Sequence, residues 1–247
     1  MNVLGIGLDA TEPRLVRKLI EAGQMPALEG LLKAGRWMRV ESSAGIGSGA
    51  VWPSFISGEE TSVHGVYGEW LWQPETMSVS RYRGRNLTPF WKKLAEGGMT
   101  VGILDVPFMP IIGLSDGFEI SEWGAHDLLE GKIQMGPDRV ASLMTKLSPH
   151  PLANYPTASG PDDYKELQKL GAACLEGIKQ RGSLARHLLT EIRPQLALIA
   201  FTEIHHSAHY LWLTVEPEHP VYSRYKLADL KSRMCWRRRT CVVWLGD

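Results

Sequence analysis

Cysteine is scarce: the 247 residues hold three, Cys174, Cys235 and Cys241, widely spaced and with no CxxC. That excludes a disulfide framework and points to a reducing compartment, so a cytoplasmic location is expected. A charge excess is absent too. Lys plus Arg and Asp plus Glu number 27 each, for a formal net charge of zero. Nothing global then draws the chain to nucleic acid or to an anionic membrane. Long apolar runs are missing, and the longest, Leu196 to Phe201, is strand-sized and cannot span a bilayer. The N-terminus has no basic segment followed by an apolar one, so no signal peptide is expected. Repeats and low-complexity tracts are also lacking.

What is present is enough for a substantial core: 44% of residues are hydrophobic, and a single domain over residues 1–247 is the natural expectation. VLGIGLDA reads as a buried strand. Pro13 and Pro26 each suit a first helical position, and apolar residues follow at helical spacing up to Gly35. Arg36 to Val40 reads as a strand. Residues 66–87 read as an irregular, aromatic-rich excursion. Thr88-Pro89 opens a helix by cap chemistry, and MTVGILDV is a second buried strand, which sets a βαβ rhythm. Residues 136–161 hold five prolines and read as connection around one helix, Arg139 to Leu147. A long helical stretch over 162–192 is expected to break near Gly182, with Cys174 on its apolar face as a core thiol. LALIAF is a continuous apolar run, as in a central parallel strand. Together these predict an α/β fold with a mostly parallel sheet flanked by helices.

Three places carry chemistry. Asp9 stands just past a buried strand, where open α/β sheets place their sites. Gly5-x-Gly7-x-x-Ala10 also fits a degenerate dinucleotide fingerprint. However, the glycines fall inside the strand and Asp9 would repel a pyrophosphate. Ser48 sits among Gly45, Gly47, Gly49 and Ala50, before a short helix ending near Gly58. A helix N-terminus there would stabilise an alkoxide or a bound phosphate, although a serine in that place is more often a simple cap. Third, LALIAF leads into TEIHHSAHYLW. His205 and His209 are four apart and project from one helix face, the spacing by which two imidazoles share a divalent metal. His206 points about a quarter-turn away. His126 and Asp127, in EWGAHD, suit a loop hydrogen-bond role.

GLDATEPRLVRKLIEAGQMPALEGLLKAG, followed by SGAVWPSFISGEETSVHG, resembles the start of the type I phosphodiesterase/nucleotide pyrophosphatase family of the alkaline phosphatase superfamily. The resemblance puts Asp9 on the family's first metal-binding aspartate and Ser48 on its Ser/Thr nucleophile. Trp52, Ser54-Phe55, Gly58 and His64-Gly65 follow in register, with His64 structural. The proline that often follows the nucleophile is replaced by Gly49 and Ala50. The sulfatase pattern is absent. The histidine segment corresponds to the family's Asp-x-x-x-His pair, with His205 where many members have aspartate. Glu203, His205 and His209 match a variant Glu-x-His-x-x-x-His arrangement.

The resemblance implies an alkaline-phosphatase-like, three-layer α/β/α fold, here incomplete. It also implies metal-dependent hydrolysis of a small phosphate ester or diester, with two divalent ions, zinc by ligand type, in complete relatives. The metal ligands it implies here are Asp9, Ser48, His205, His209 and, weakly, Asp247. It covers roughly residues 1–225. The family's later Asp-His pair and final histidine have no match in the atypical, basic tail over 226–247. Low or no turnover is therefore the expectation for this chain. A non-catalytic fragment that at most binds metal or phosphate is the alternative, and the sequence leaves open whether the chain is an enzyme and what its oligomeric state is.

Overall fold

The computed structural model describes residues 1–45, 47–82, 87–124, 130–144, 148–153, 155, 164–220 and 222. The chain divides into two compact units. One comprises Met1–Gly7, Arg39–Ser148 and His187–Ala200. The other comprises Leu8–Met38, Pro149–Arg186 and Phe201–Asp247.

The first unit is built on a five-stranded sheet in the order β1-β7-β4-β5-β6, with strands Val3–Leu8 (β1), Val101–Leu104 (β4), Gly117–Ser121 (β5), Gln134–Gly136 (β6) and Leu196–Phe201 (β7). β4 runs parallel to both β5 and β7, and β6 closes the edge antiparallel to β5. β1 lies along β7 in the same direction: Val3 N–H donates to Gln195 O (3.0 Å), and at the far end Asp9 N–H donates to Phe201 O (3.1 Å). The fold is therefore α/β with a mostly parallel sheet, as the βαβ rhythm predicts. All six residues of β7 are buried, because a parallel strand covered on both faces must be apolar throughout. Val101, Ile103, Leu196 and Leu198 join Ile56, Trp91 and Met109 in the unit's main core. Each such side chain, fully buried, contributes about 1.5–3 kcal/mol.

β5 is hidden in the sequence because Glu119 interrupts its apolar run. In the structure Glu119 is wholly buried, and its carboxylate accepts from Ile112 N (3.0 Å) and Leu114 N (2.8 Å). At its head, Gly117 has φ +91°, and a side chain there would put Cβ 1.8 Å from Val101 O, so only glycine can bring β5 against β4.

Several local expectations are corrected. Arg36 to Val40 is exposed and has no strand partner among the described residues. With no face to bury, a short β-prone run does not hold a strand. The 66–87 stretch is not wholly irregular: Trp70–Gln73 (β2) and Ser78–Arg81 (β3) form an antiparallel hairpin. Pro89, not Thr88, stands at the N-cap position of the helix Phe90–Glu96 (α5), and its side chain caps no amide.

The remaining helices are Pro13–Glu21 (α1), Pro26–Ala34 (α2), Val51–Ser57 (α3), Thr61–His64 (α4), Asp138–Met144 (α6), Tyr164–Ile192 (α7) and Glu203–Val215 (α8). α7 does not break at Gly182. That glycine is buried along with Arg181, Leu184 and Ala185, and this packing outweighs the roughly 1 kcal/mol that a helical glycine costs. Cys174 is buried with Leu152 and Leu170, and burial pushes its thiol up to about 12, so it is an inert core residue. No helix among the described residues is long and apolar enough to cross a membrane.

Candidate functional site

Ser48 begins a 3-10 turn, Ser48–Ala50, that runs directly into α3, and Gly58 ends that helix in the left-handed conformation with φ +70°. Ser48 itself is exposed. The glycines beside it serve close backbone contact. A Cβ at Gly47 would lie 2.4 Å from Tyr67 O, and one at Gly49 would lie 2.6 Å from Gly68 Cα. Their role in the structure is thus to admit the 67–68 backbone, which holds the serine turn in place.

His64 lies two turns on. Val66 N–H donates to its Nδ1 (3.0 Å), so in the neutral ring Nε2 carries the proton and donates to Ser54 Oγ (2.9 Å). Ser54 Oγ in turn donates to Ser43 Oγ (3.2 Å). This imidazole is a proton donor fixed in a hydrogen-bond chain and is not a base for a nucleophile. Burial lowers its pKa, partly countered by the charge of Glu59.

The second unit brings three of the predicted residues together. Asp9 is buried, and its Oδ2 lies 3.0 Å from His205 Nδ1. His205 Nε2 faces His209 Nε2 at 2.8 Å, and the rings are 4.6 Å apart at 39°. An ionised carboxylate only accepts, so Nδ1 of His205 carries the proton. Its Nε2 then offers a lone pair, and His209 Nε2–H donates to it. Asp9 thereby fixes the tautomer and orientation of His205, the part a carboxylate plays behind a metal-binding imidazole. Ser48 belongs to the other unit, and Asp247, His126 and Asp127 lie outside the described residues.

The helical spacing of 205 and 209 thus brings the two rings together on one face. Whether the three residues suit a metal can be tested on these distances. Two ligands of a tetrahedral ion at about 2.0–2.1 Å stand about 3.3 Å apart. The imidazole nitrogens therefore need to part by about half an ångström to admit one. They fit as two ligands of one ion. Asp9 meets the distal nitrogen of His205 rather than the same point. Among the described residues no group of three or more His, Cys, Asp or Glu is arranged to hold a metal ion.

Sequence reasoning did not find the cluster behind this helix. Glu203, the first residue of α8, is wholly buried. Its Oε1 accepts from Arg181 Nε (2.8 Å) and lies 2.9 Å from His150 Nε2. Leu152 N–H donates to His150 Nδ1 (3.2 Å), so Nε2 is the protonated nitrogen of that ring. Burial alone would raise the Glu203 carboxyl. Arg181 and His150 outweigh it and hold the pKa below the ordinary glutamate value. Glu203 is therefore engaged by Arg181 and His150, and the variant Glu-x-His-x-x-x-His motif contributes its two histidines to the array with Asp9. A signal was available in the sequence: Arg181 falls in the apolar stripe of Leu170, Cys174, Ile178, Ala185 and Leu188, and an arginine there demands a buried acid.

The model of the type I phosphodiesterase / nucleotide pyrophosphatase family matches residues 3–231. The chain belongs to this family. Among solved structures, it resembles phosphonoacetate hydrolase from Sinorhizobium meliloti 1021 in complex with phosphonoacetate, at 18% identity and a TM-score of 0.54, covering 94% of this chain and 53% of that one. The phosphonoformate complex of the same hydrolase aligns at 16% identity and a TM-score of 0.47, with the same coverage. This type I phosphodiesterase-family chain therefore has an alkaline-phosphatase-like fold and spans about half the length of those hydrolases. No curated protein matches it significantly.

Proposed function

We propose that the chain acts on a small phosphoester or phosphonate, with Ser48 as nucleophile and with Asp9, His205 and His209 forming one end of a divalent-metal site. Residues 1–247 are read as one domain of the family. The observation that carries the reading is the Asp9–His205–His209 array, built where β1 and β7 end, in a chain of this family. His205 and His209 would hold the ion, and zinc suits imidazole ligation. Bound there, it would supply Lewis-acid polarisation of the substrate. In a phosphoester reaction, Ser48 Oγ forms a bond to phosphorus as the bond to the leaving oxygen breaks, and the serine proton leaves with that oxygen or its solvent. Water then cleaves the Ser48 phosphoester and restores the hydroxyl. Asp9 keeps the His205 lone pair directed toward His209.

A second reading is a chain that binds metal or phosphate without turnover. It is favoured by the two-imidazole ligand set found among the described residues. The deciding experiment uses the 247-residue protein with zinc, p-nitrophenyl phosphate, its diester and phosphonoacetate, beside Ser48→Ala. Turnover in the parent that is lost in Ser48→Ala at equal zinc content supports the first reading. Equal rates remove Ser48 from the mechanism, and zinc binding without turnover selects the second.

A further inference from the structure

Thr202 stands at the N-cap of α8, yet its side chain caps no helix amide. Instead it lies 3.3 Å from Arg181 Nη2 and accepts its proton. The next residue, Glu203, takes Arg181 Nε and His150 Nε2 on the same oxygen, while the other oxygen, Oε2, is buried and accepts no hydrogen bond among the described residues. α7 carries Gly177 opposite this cluster. A Cβ there would lie 2.8 Å from the His150 ring and 3.0 Å from Glu203 Cγ. Space has thus been made for a buried ion pair in place of an ordinary cap.

Stability does not explain such a device. Burying two charges costs several kcal/mol in desolvation, and apolar residues of similar volume do as well or better. What the ion pair supplies is direction. Two consecutive residues, at the very start of α8, are tied to one guanidinium. His205 and His209 follow two and six positions later on the same helix, and their nitrogens must sit within about 0.5 Å of the productive spacing.

We propose that Arg181, through Thr202 and Glu203, is the positioning residue for the His205–His209 pair. This rests on reading that pair as a metal-binding end, and Arg181 itself touches no ligand.

The test uses the full chain, with cobalt(II) as the metal probe. The double variant Arg181→Met/Glu203→Met replaces the ion pair by apolar side chains of similar size. Its urea midpoint is expected to match or exceed that of the parent. Its cobalt affinity, read from the visible absorption, is expected to fall about 10–100-fold. In the metal-free protein, nitrogen-15 ring spectra should show His205 losing its fixed Nδ1–H tautomer. A double variant with parental stability, ring spectra and cobalt affinity would overturn the proposal. If the double variant does not fold, Thr202→Val decides. It is isosteric and removes one bond to Arg181, so unchanged ring spectra overturn the proposal and averaged tautomers support it. A parent that binds no cobalt defeats the metal reading above, and the ring spectra still decide whether Arg181 positions the histidines.

Discussion

The two units bury acidic side chains in opposite ways. In the first, Asp105, Glu119 and Glu122 each accept two backbone N–H groups. Asp105 takes Trp123 N (2.9 Å) and Gly124 N (2.8 Å). Glu119 takes Ile112 and Leu114, and Glu122 takes Glu130 N (2.8 Å) and Lys132 N (3.0 Å). In the second unit, Asp9 and Glu203 meet side chains instead: a histidine in one case, an arginine and a histidine in the other. Backbone donors are neutral and immobile, so they turn a carboxylate into a loop clamp. Side-chain donors can carry charge, change tautomer or turn to a ligand. The first arrangement holds shape, and the second holds chemistry. Asp105 and Glu122 also have positive φ, +51° and +64°, so the clamps sit where the chain turns sharply off β4 and β5.

The sharpest way to break this contrast is to remove the cation of the buried pair. Arg181→Met leaves the Glu203 carboxylate without its positive partner in a fully buried site. The expected loss is about 3–5 kcal/mol, read from urea denaturation. A loss under 1 kcal/mol would mean that the carboxylate is solvated or protonated on burial, and that the cluster does not behave as an ion pair.

A backbone clamp should cost a comparable amount. Asp105→Ala takes the acceptor from two buried N–H groups, at about 1–3 kcal/mol for each. Asp105→Asn should be milder, because asparagine tolerates positive φ and keeps one acceptor. Equal losses for alanine and asparagine would indicate that neither the positive φ nor one retained acceptor matters, and that the second carboxylate oxygen and its charge set the cost. Neither change should alter cobalt binding at His205 and His209.

The parts of this division that follow from periodicity were legible in the sequence. The α/β class, β1, β7, α1, α2 and the one-face projection of His205 and His209 rest on spacing, which a local pattern records. The clamps were not legible. Glu119 and Asp105 look like interruptions in apolar strands until the loops that donate to them are placed, and those donors are backbone atoms with no sequence signature. The purpose of Gly47 and Gly49 was not legible either: it is the approach of residues 67–68, a contact between segments that no local pattern contains. The Arg181–Glu203 pair lies between these cases, visible as an arginine in an apolar stripe but with no indication of which acid answers it.

His64 sharpens the comparison through pH. Its folded pKa is depressed, chiefly by burial, below the ordinary histidine value near 6.5. Between those two values the unfolded chain binds more protons than the folded one. Its contribution is therefore fully present above about pH 6.5 and is lost as pH falls through the folded pKa. Unfolding free energy should fall with acid over that window, and His64→Gln should flatten that part of the profile. An unchanged slope in the variant would place the acid sensitivity elsewhere.

The smallest effect expected is at Arg139, and it isolates burial as the variable. Arg139 pairs with Asp116, as Arg181 pairs with Glu203, and also donates to Gly117 O (3.3 Å). The Asp116 carboxyl is held below the usual aspartate value, first by the hydrogen bond from Arg139 and then by those from Thr100 Oγ1 and Gly117 N–H. Yet both side chains are more than half exposed, at 52% and 59%. Water and salt screen such a pair, and holding the long arginine still costs side-chain entropy. Arg139→Ala should therefore cost only about 0.2–1 kcal/mol, shrinking further in 1 M salt. The same ion-pair chemistry in the two units would then differ severalfold in effect for one reason, access to solvent. A loss at Arg139 as large as that at Arg181, and unmoved by salt, would mean that the bond to Gly117 O at the head of β5 is the important one, and that a side chain on α6 has joined the backbone clamps of the first unit.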